Sequence, residues 1–162
     1  MSTLHIIFDE HSARFSDGET SYEVPMGISS LAAMLTADPP LPEELTNAIG
    51  IFMDHMEDVS REVPGSVAAD CIEVCGPGLQ ALVDTEIGHP EALPFDLGRD
   101  AAEEVFRTLA TEAACDRVHN PGLPADEVHH ILGVCCAVVA VLRALQAPAL
   151  TVHPAHDTSS ST

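Results

Sequence analysis

Two glycines flank a proline at Gly76-Pro77-Gly78, between a short apolar segment and a more amphipathic one. A strand, a glycine turn and a helix in this order can hold an anion on backbone N–H groups and on the helix N-terminus. The same order also describes an ordinary tight turn, and Pro77 removes one N–H donor. Gly76 and Gly78 are therefore candidates for holding a phosphate-like group, although we favour the simpler structural interpretation.

Side chains that can bind metal ions occur in two further places. Asp9, Glu10 and His11 are consecutive, and His129-His130 lie at the predicted start of a helix. Carboxylate and imidazole groups bind divalent metals, and a histidine can act as a proton-linked switch. Adjacent helical residues point about 100° apart, which disfavours a metal ion shared by the two histidines. We favour a solvated hairpin end and an ordinary helix start over metal sites.

The five cysteines are odd in number and lie in apolar surroundings, which predicts reduced core thiols in a cytosol. Cys71 and Cys75 fall on one face of a predicted strand, but the partners that zinc needs are not at recognisable spacing. No Ser/His/Asp or Cys/His catalytic set follows from the spacing. We therefore predict no catalytic residue and no metal site.

The charge limits the classes of partner. The 162 residues carry 26 acidic and 6 basic side chains, and all six basic residues are arginine. An acidic surface repels nucleic acid and anionic membranes, so we expect neither as a partner. The charge indicates either a solvated acidic surface or adaptation to high salt, and the lack of lysine favours the second. No signal peptide is recognisable at the N-terminus, which predicts a cytoplasmic protein.

Apolar runs separated by turn residues predict an α/β layered domain, because strands alternate with helical crossovers. Ile131–Leu142 is an apolar run of twelve residues, too short for a bilayer, which needs roughly 20, so we expect it to be buried. We assign residues 1–153 to one domain and 154–162 to a polar, frayed tail. The predicted strands are Leu4–Phe8, Ala13–Ser16, Thr20–Met26, Val67–Cys75 and Ala149–Val152; the predicted helices are Ile28–Thr36, one from Pro42 to Pro64-Gly65, Leu79–Glu86, one from Asp96 or Asp100 through Ala114, and Asp126–Gln146.

The order of several short motifs resembles one family. Val24–Leu31, Pro42–Leu45, Val74–Leu82, Leu97–Arg99 and Pro121–Pro124 are similar to successive motifs in the C-terminal half of the Ppx/GppA core, that of the exopolyphosphatases and guanosine pentaphosphate phosphohydrolases. The resemblance covers most of the chain. It implies a ribonuclease-H-like half-domain of the actin/hexokinase/Hsp70 type, with a mixed sheet and flanking helices. It also implies hydrolysis of polyphosphate or guanosine penta/tetraphosphate.

The chain departs from the family pattern where phosphate would bind. The resemblance implies a glycine-rich first turn, but Asp9, Glu10 and His11 stand there and only Ser12 and the strand start match. Carboxylates at this position should repel a phosphate. The family's second phosphate-binding turn corresponds to Gly76-Pro77-Gly78, and both of its glycines are present here. After Pro-Gly-Leu-Pro, Glu127 stands where the family usually has an arginine.

These departures leave two functions open. The family's N-terminal half, with the catalytic glutamate, has no room in this chain, so the chain could be a non-catalytic binding or assembly module. It would then form a homo-oligomer or pair with a complementary N-terminal half-domain. Alternatively, it is a phosphohydrolase that needs that half and Mg²⁺. The candidate phosphate-binding residues are Ser12, Gly76 and Gly78.

Overall fold

The computed structural model describes residues 2–155 and contains a six-stranded mixed sheet with helices packed on one face. Its strand order is β3-β2-β1-β4-β6-β5. The strands are β1 (Thr3–Phe8), β2 (Ala13–Ser16), β3 (Ser21–Val24), β4 (Cys71–Cys75), β5 (Phe95–Gly98) and β6 (Ala149–Val152). The helices are α1 (Ile28–Ala33), α2 (Pro42–Glu62), α3 (Leu79–Ile87), α4 (Arg99–Ala110), α5 (Ala114–Arg117) and α6 (His130–Leu145), with short 3-10 turns at Pro64–Ser66 and Ala125–Glu127.

The pairing of the strands determines which turns lie together. β1, β2 and β3 form an antiparallel meander, whereas β4 pairs in parallel with both β1 and β6. Ile7 is the register partner of Cys75. Because parallel neighbours end at the same edge of a sheet, the turn after β1 lies beside the turn after β4.

One face of the sheet carries the core. Leu4, Ile6 and Phe8 of β1 are buried, while the alternating His5 and Ile7 are exposed, as the two-residue period of a strand requires. The opposite face of the sheet is left largely uncovered within residues 2–155: α1, α2, α3 and α4 pack together with α6, and the outward residues of β1 and β4 are exposed or only partly buried.

Helix α6 is the centre of this helical layer. Every residue from 131 to 142 is buried, and the helix packs against α1, α2 and α4. Gly133 allows α1 to approach α6 closely, since a Cβ there would lie 2.3 Å from the carbonyl oxygen of Ile28. The prediction that Ile131–Leu142 is buried is therefore confirmed. In the described part of the chain, no helix has the length and hydropathy to cross a membrane.

The sequence did not predict β5, and it misplaced the ends of α4. Phe95–Gly98 is an edge strand antiparallel to β6, and the helix expected from Asp96 or Asp100 through Ala114 begins at Arg99 and ends at Ala110. Asp96 accepts a hydrogen bond from the Thr151 hydroxyl across the strands instead of capping a helix. The alternating Phe95 and Leu97 signal this strand, but four residues are too few to identify it from the sequence alone.

Other boundaries differ by a few residues. The strand predicted at Val67–Cys75 begins at Cys71, because Pro64–Ser66 forms a 3-10 turn first. The helix predicted at Ile28–Thr36 ends at Ala33, and the one predicted from Asp126 begins at His130. Most of the predicted polar tail, residues 156–162, lies outside the described residues.

The cysteines do not all belong to the core. Cys135 and Cys136 are buried, and burial raises the pKa of both thiols, that of Cys136 to about 12. Cys71 and Cys75 are only partly buried, however, and Cys115 is exposed, which corrects the expectation of five core thiols. Cys71 and Cys75 are not in the core because alternate residues of β4 point to the uncovered face of the sheet, and Cys115 lies in the short helix α5.

A buried arginine organises the end of α4. Arg117 is 1% exposed, and its guanidinium donates hydrogen bonds to the carbonyl oxygens of Leu109, Glu112 and Val128. Carbonyls at a helix C-terminus lack partners within the helix, and a cation there also interacts favourably with the helix dipole. Arg117 therefore joins the end of α4 to the segment that leads into α6.

Candidate functional site

The two turns singled out by the sequence lie side by side at one edge of the sheet. Gly76 has a φ of +150°, and a Cβ there would lie 2.5 Å from the carbonyl oxygen of Phe8 at the end of β1. Gly78 has a φ of +84°, and its Cβ would lie 2.5 Å from Val134 and 3.2 Å from Nδ1 of His130. Both positions require glycine, for conformation and for close approach to the first turn and to α6.

The β1–β2 turn, Asp9–Ser12, is seated on the first turn of α1. The N–H of Ile28 donates to the carbonyl of Asp9 at 3.0 Å. The N–H groups of Ser29 and Ser30 donate to the carbonyl of Glu10 at 2.8 and 3.2 Å. The turn thus presents carbonyl oxygens where an anion-binding turn presents N–H groups. These carbonyls accept hydrogen bonds from the first N–H groups of α1, which have no partner within the helix.

Gly27 makes this close approach possible. A Cβ at Gly27 would lie 2.2 Å from the carbonyl oxygen of Asp9 and 2.5 Å from the backbone nitrogen of Ser12. Its φ of −126° is open to any residue, so the requirement for glycine is purely one of space. The glycine in the motif at Val24–Leu31 is therefore explained by packing, because it lets the start of α1 contact the β1–β2 turn.

The side chain of Glu10 is bonded within the protein. Its carboxylate accepts a hydrogen bond from the Ser29 hydroxyl, and the same Oε1 lies 2.9 Å from Nε2 of His130. The bond from Ser29 lowers the pKa of Glu10; partial burial opposes this effect, and His130 adds to it. Glu10 is therefore held as a carboxylate beside the two turns.

His130 lies between two carboxylates at the start of α6. Its Nδ1 is 2.8 Å from Oε2 of Glu127, and its Nε2 contacts Glu10 on the other side. Burial disfavours the charged ring, but the hydrogen bonds and charges of Glu10 and Glu127 outweigh it and raise the pKa of His130. The imidazole also contacts the position where Gly78 lacks a side chain, so it fills the space between the two turns.

The other candidate residues lie around the cluster that Glu10, Ser29, Glu127 and His130 form. Ser12 closes the first turn by accepting the Asp9 N–H on its carbonyl at 2.8 Å. His129 points away from His130, with Nε2 3.0 Å from the carbonyl oxygen of Ala32. His11 is exposed on the first turn. The structure thus joins Glu10 and His130, which are 120 residues apart, and separates the two adjacent histidines.

Metal ligation finds no support in this arrangement. Over residues 2–155, no group of three or more His, Cys, Asp or Glu side chains is placed to hold a metal ion. Glu10 is already engaged with Ser29 and His130. The residues present do not fit the Mg²⁺ that the resemblance implies, unless further ligands come from another chain or from a bound phosphate.

Sequence reasoning missed two members of the cluster. Ser29 lies within the motif at Val24–Leu31, and Glu127 stands in place of an arginine, but neither pattern predicts a contact with Glu10 or His130. The spacing of Glu127 and His130, three residues apart at the start of a helix, places them on one side and could have indicated their contact. Nothing in the local sequence could have indicated that Ser29 faces Glu10, because this contact depends on how α1 docks.

A pocket of about 240 Å³ lies on the uncovered side of the same edge. Its lining includes Asp9, Arg14, Gly76 and Pro77. Arg14 is the basic residue in this lining, and it forms an ion pair with Glu23 across the β2–β3 hairpin, at 3.2 Å. This pocket therefore offers one partly neutralised cation beside the second glycine turn.

Comparison with solved structures confirms the predicted fold. The Ppx/GppA phosphatase of Aquifex aeolicus superposes on 94% of this chain with a TM-score of 0.82 and 16% sequence identity. An exopolyphosphatase-like protein matches 96% of the chain with a TM-score of 0.81 and 14% identity. An exopolyphosphatase from Cytophaga hutchinsonii matches 94% with a TM-score of 0.71 and 16% identity.

This chain spans only about half the length of these structures, covering 53%, 55% and 53% of them. It therefore has the actin-like, ribonuclease-H-like fold of one half of a Ppx/GppA phosphatase core, and the coverage is consistent with the C-terminal half. No family model matches the sequence, and no curated protein matches it.

Proposed function

We propose that this chain is a Ppx/GppA-like half-domain that serves as a binding or assembly module and does not hydrolyse phosphoanhydrides by itself. The observation that carries the proposal is the state of the β1–β2 turn. Its carbonyl oxygens point at α1, and the Glu10 carboxylate is bonded to Ser29 and His130. A polyphosphate approaching this turn would meet negative charge instead of N–H donors.

The charge of the whole chain acts in the same direction. A formal net charge of −20 repels a polyanionic substrate at ordinary salt concentration. Multi-molar salt would screen much of that repulsion, because the Debye length falls to about 3 Å at 1 M. The Glu10 carboxylate would remain beside the site in either case, so we expect screening alone not to restore binding.

A phosphate-release assay tests this proposal. The purified chain should release no phosphate from polyphosphate or guanosine pentaphosphate, at low or high KCl, with Mg²⁺ or Mn²⁺ present. Turnover that scales with protein, disappears on Gly76→Val and persists in Gly98→Val would contradict the non-catalytic interpretation. Gly98 is the matched control because a Cβ there meets nothing within 4 Å, while one at Gly76 meets the Phe8 carbonyl.

The partner proposed for the module is a complementary half-domain encoded separately. Two observations support it: the chain spans about half of the similar structures, and one face of its sheet is uncovered in the described region. Parallel strands such as β1, β4 and β6 are usually covered on both faces. Mass measurement of the chain alone and mixed with a candidate N-terminal half tests this; a homodimer that excludes the second half would contradict it.

The second candidate function is a phosphohydrolase assembled from two chains. The second turn favours it: Gly76 and Gly78 retain positive φ angles, α3 begins directly after them, and Arg14 lies in the adjoining pocket. A partner would have to supply the catalytic carboxylate and the ligands for Mg²⁺. Phosphate release that requires both chains would select this alternative over the first proposal.

A further inference from the structure

The contacts of His130 require an additional proton. Both ring nitrogens lie within 2.9 Å of carboxylate oxygens, 2.8 Å to Glu127 and 2.9 Å to Glu10. An ionised carboxylate can only accept a hydrogen bond, and a neutral imidazole has only one N–H to donate. The observed geometry therefore needs either an imidazolium ring or a protonated carboxyl group.

These contacts hold together segments that are distant in the sequence. Glu10 belongs to the β1–β2 turn, Ser29 to the first turn of α1, and His130 to the start of α6. The bond between His130 and Glu10 spans 120 positions and is half-buried on the histidine side. Charge-assisted hydrogen bonds in such a site are about twice as strong as neutral ones.

We propose that Glu10, His130 and Glu127 form a proton-controlled latch, which holds the β1–β2 turn against α1 and α6 when His130 is protonated and releases it when His130 is neutral. The neutral ring can donate to only one of the two carboxylates. The other carboxylate then faces a lone pair and moves toward water. Since Glu127 is only three residues away on the same segment, Glu10 is the partner that separates.

The direction of the pH effect follows from the surroundings of the ring. Among the described residues, Glu10 and Glu127 are the charged groups that act on His130, and His11 acts on Glu10; the uncharged Gly78 lies against the ring. The pKa of His130 is raised above its ordinary value of 6.5. The latch is therefore fully closed below that ordinary value and opens as the pH rises through the raised one.

The consequence of opening is exposure of the space between the β1–β2 turn and the Gly76-Pro77-Gly78 turn. The imidazole occupies the gap beside Gly78, and the Glu10 carboxylate lies on its far side. Release of Glu10 would loosen the bonds from Ser29 and Ser30 to the Glu10 carbonyl. The inference rests on the proposed function only in locating this gap, and its test does not involve phosphate release.

Amide hydrogen exchange at Ser29 and Ser30 tests the latch, because their N–H groups report the seating of the turn. Protection, corrected for intrinsic exchange, should fall about tenfold between about pH 6 and about pH 9 as one charge-assisted bond is lost. Glu10→Gln should abolish this pH dependence. Glu19→Gln, which removes an equal charge from an exposed hairpin position, should preserve it.

Titration of His130 by NMR provides the independent measurement. In the natural chain its pKa should lie above 6.5, and Glu10→Gln or Glu127→Gln should lower it. A pKa at or below 6.5 in the natural chain would overturn the latch, even if the variants failed to fold. Protection of Ser29 and Ser30 that varies equally with pH in the natural chain and Glu10→Gln would also overturn it.

Discussion

Replacement of Gly27 by alanine should separate the β1–β2 turn from α1. The new Cβ would lie 2.2 Å from the Asp9 carbonyl oxygen and 2.5 Å from the Ser12 nitrogen, both backbone atoms that cannot rotate away. Overpacking of this kind costs about 1–3 kcal/mol. Displacement of the turn from α1 would also weaken the backbone hydrogen bonds donated by Ile28, Ser29 and Ser30, each worth about 0.5–1.5 kcal/mol.

We therefore expect Gly27→Ala to lower the free energy of unfolding by about 3 kcal/mol. For a chain of this length, that corresponds to a melting temperature lower by about 6–12 °C. Thermal and urea unfolding, followed by circular dichroism in the same buffer, measure both quantities.

Gly50→Ala is the matched control. Gly50 lies within α2, and a Cβ there meets nothing within 4 Å, so alanine should raise stability by up to about 1 kcal/mol through helix propensity. Equal melting temperatures for Gly27→Ala and the natural chain would refute the reasoning. They would show that the turn is not seated on α1 as described.

Four further predictions concern the rest of the chain. Arg117→Ala should cost at least about 3 kcal/mol in urea unfolding, because it removes three hydrogen bonds from a buried guanidinium to the carbonyl oxygens of Leu109, Glu112 and Val128; a loss below about 1 kcal/mol would argue against that role. Val138→Asp should give insoluble or unfolded protein, because it places a charge in the buried middle of α6, whereas Val67→Asp at a 66% exposed site should remain soluble; a folded Val138→Asp would contradict the burial of this part of α6. The melting temperature should rise from low to multi-molar KCl, since salt screens a net charge of −20, and a flat or falling curve would reject salt adaptation. Hydrogen bonds from Thr36 and nearby amides lower the pKa of Glu44 to about 2, so its stabilising contribution should be lost as the pH falls from 4.5 toward about 2; Glu44→Gln should flatten this part of the acid-unfolding curve.

The sequence predicted the elements that have strong local signals. The Asp17-Gly18 turn placed the β2–β3 hairpin, and Pro42 placed the start of α2. The apolar run of α6 predicted burial correctly because such a run has no polar face to expose. The edge strand β5 was missed, because it has four residues at the edge of the sheet, paired with β6, and they carry little periodicity of their own.

The candidate site was only partly predictable. The parallel order of strands is enough to place the turn after β1 beside the turn after β4, so the proximity of Glu10 to Gly76-Pro77-Gly78 follows from the fold class. The contacts of Glu10 with Ser29 and His130 do not follow from it. They depend on the depth at which α1 and α6 pack, and Gly27 and Gly133 determine that depth through the absence of a side chain.

Phosphate binding at the β1–β2 turn is the most direct test of the account. Calorimetric titration with inorganic tripolyphosphate in high KCl should show no binding to the natural chain, whose turn is occupied by its own carboxylate. The variant with Asp9, Glu10 and His11 each replaced by glycine should bind tripolyphosphate measurably, because like charges no longer face the ligand. Tripolyphosphate binding to the natural chain that is equal to, or tighter than, binding to the glycine variant would contradict the account.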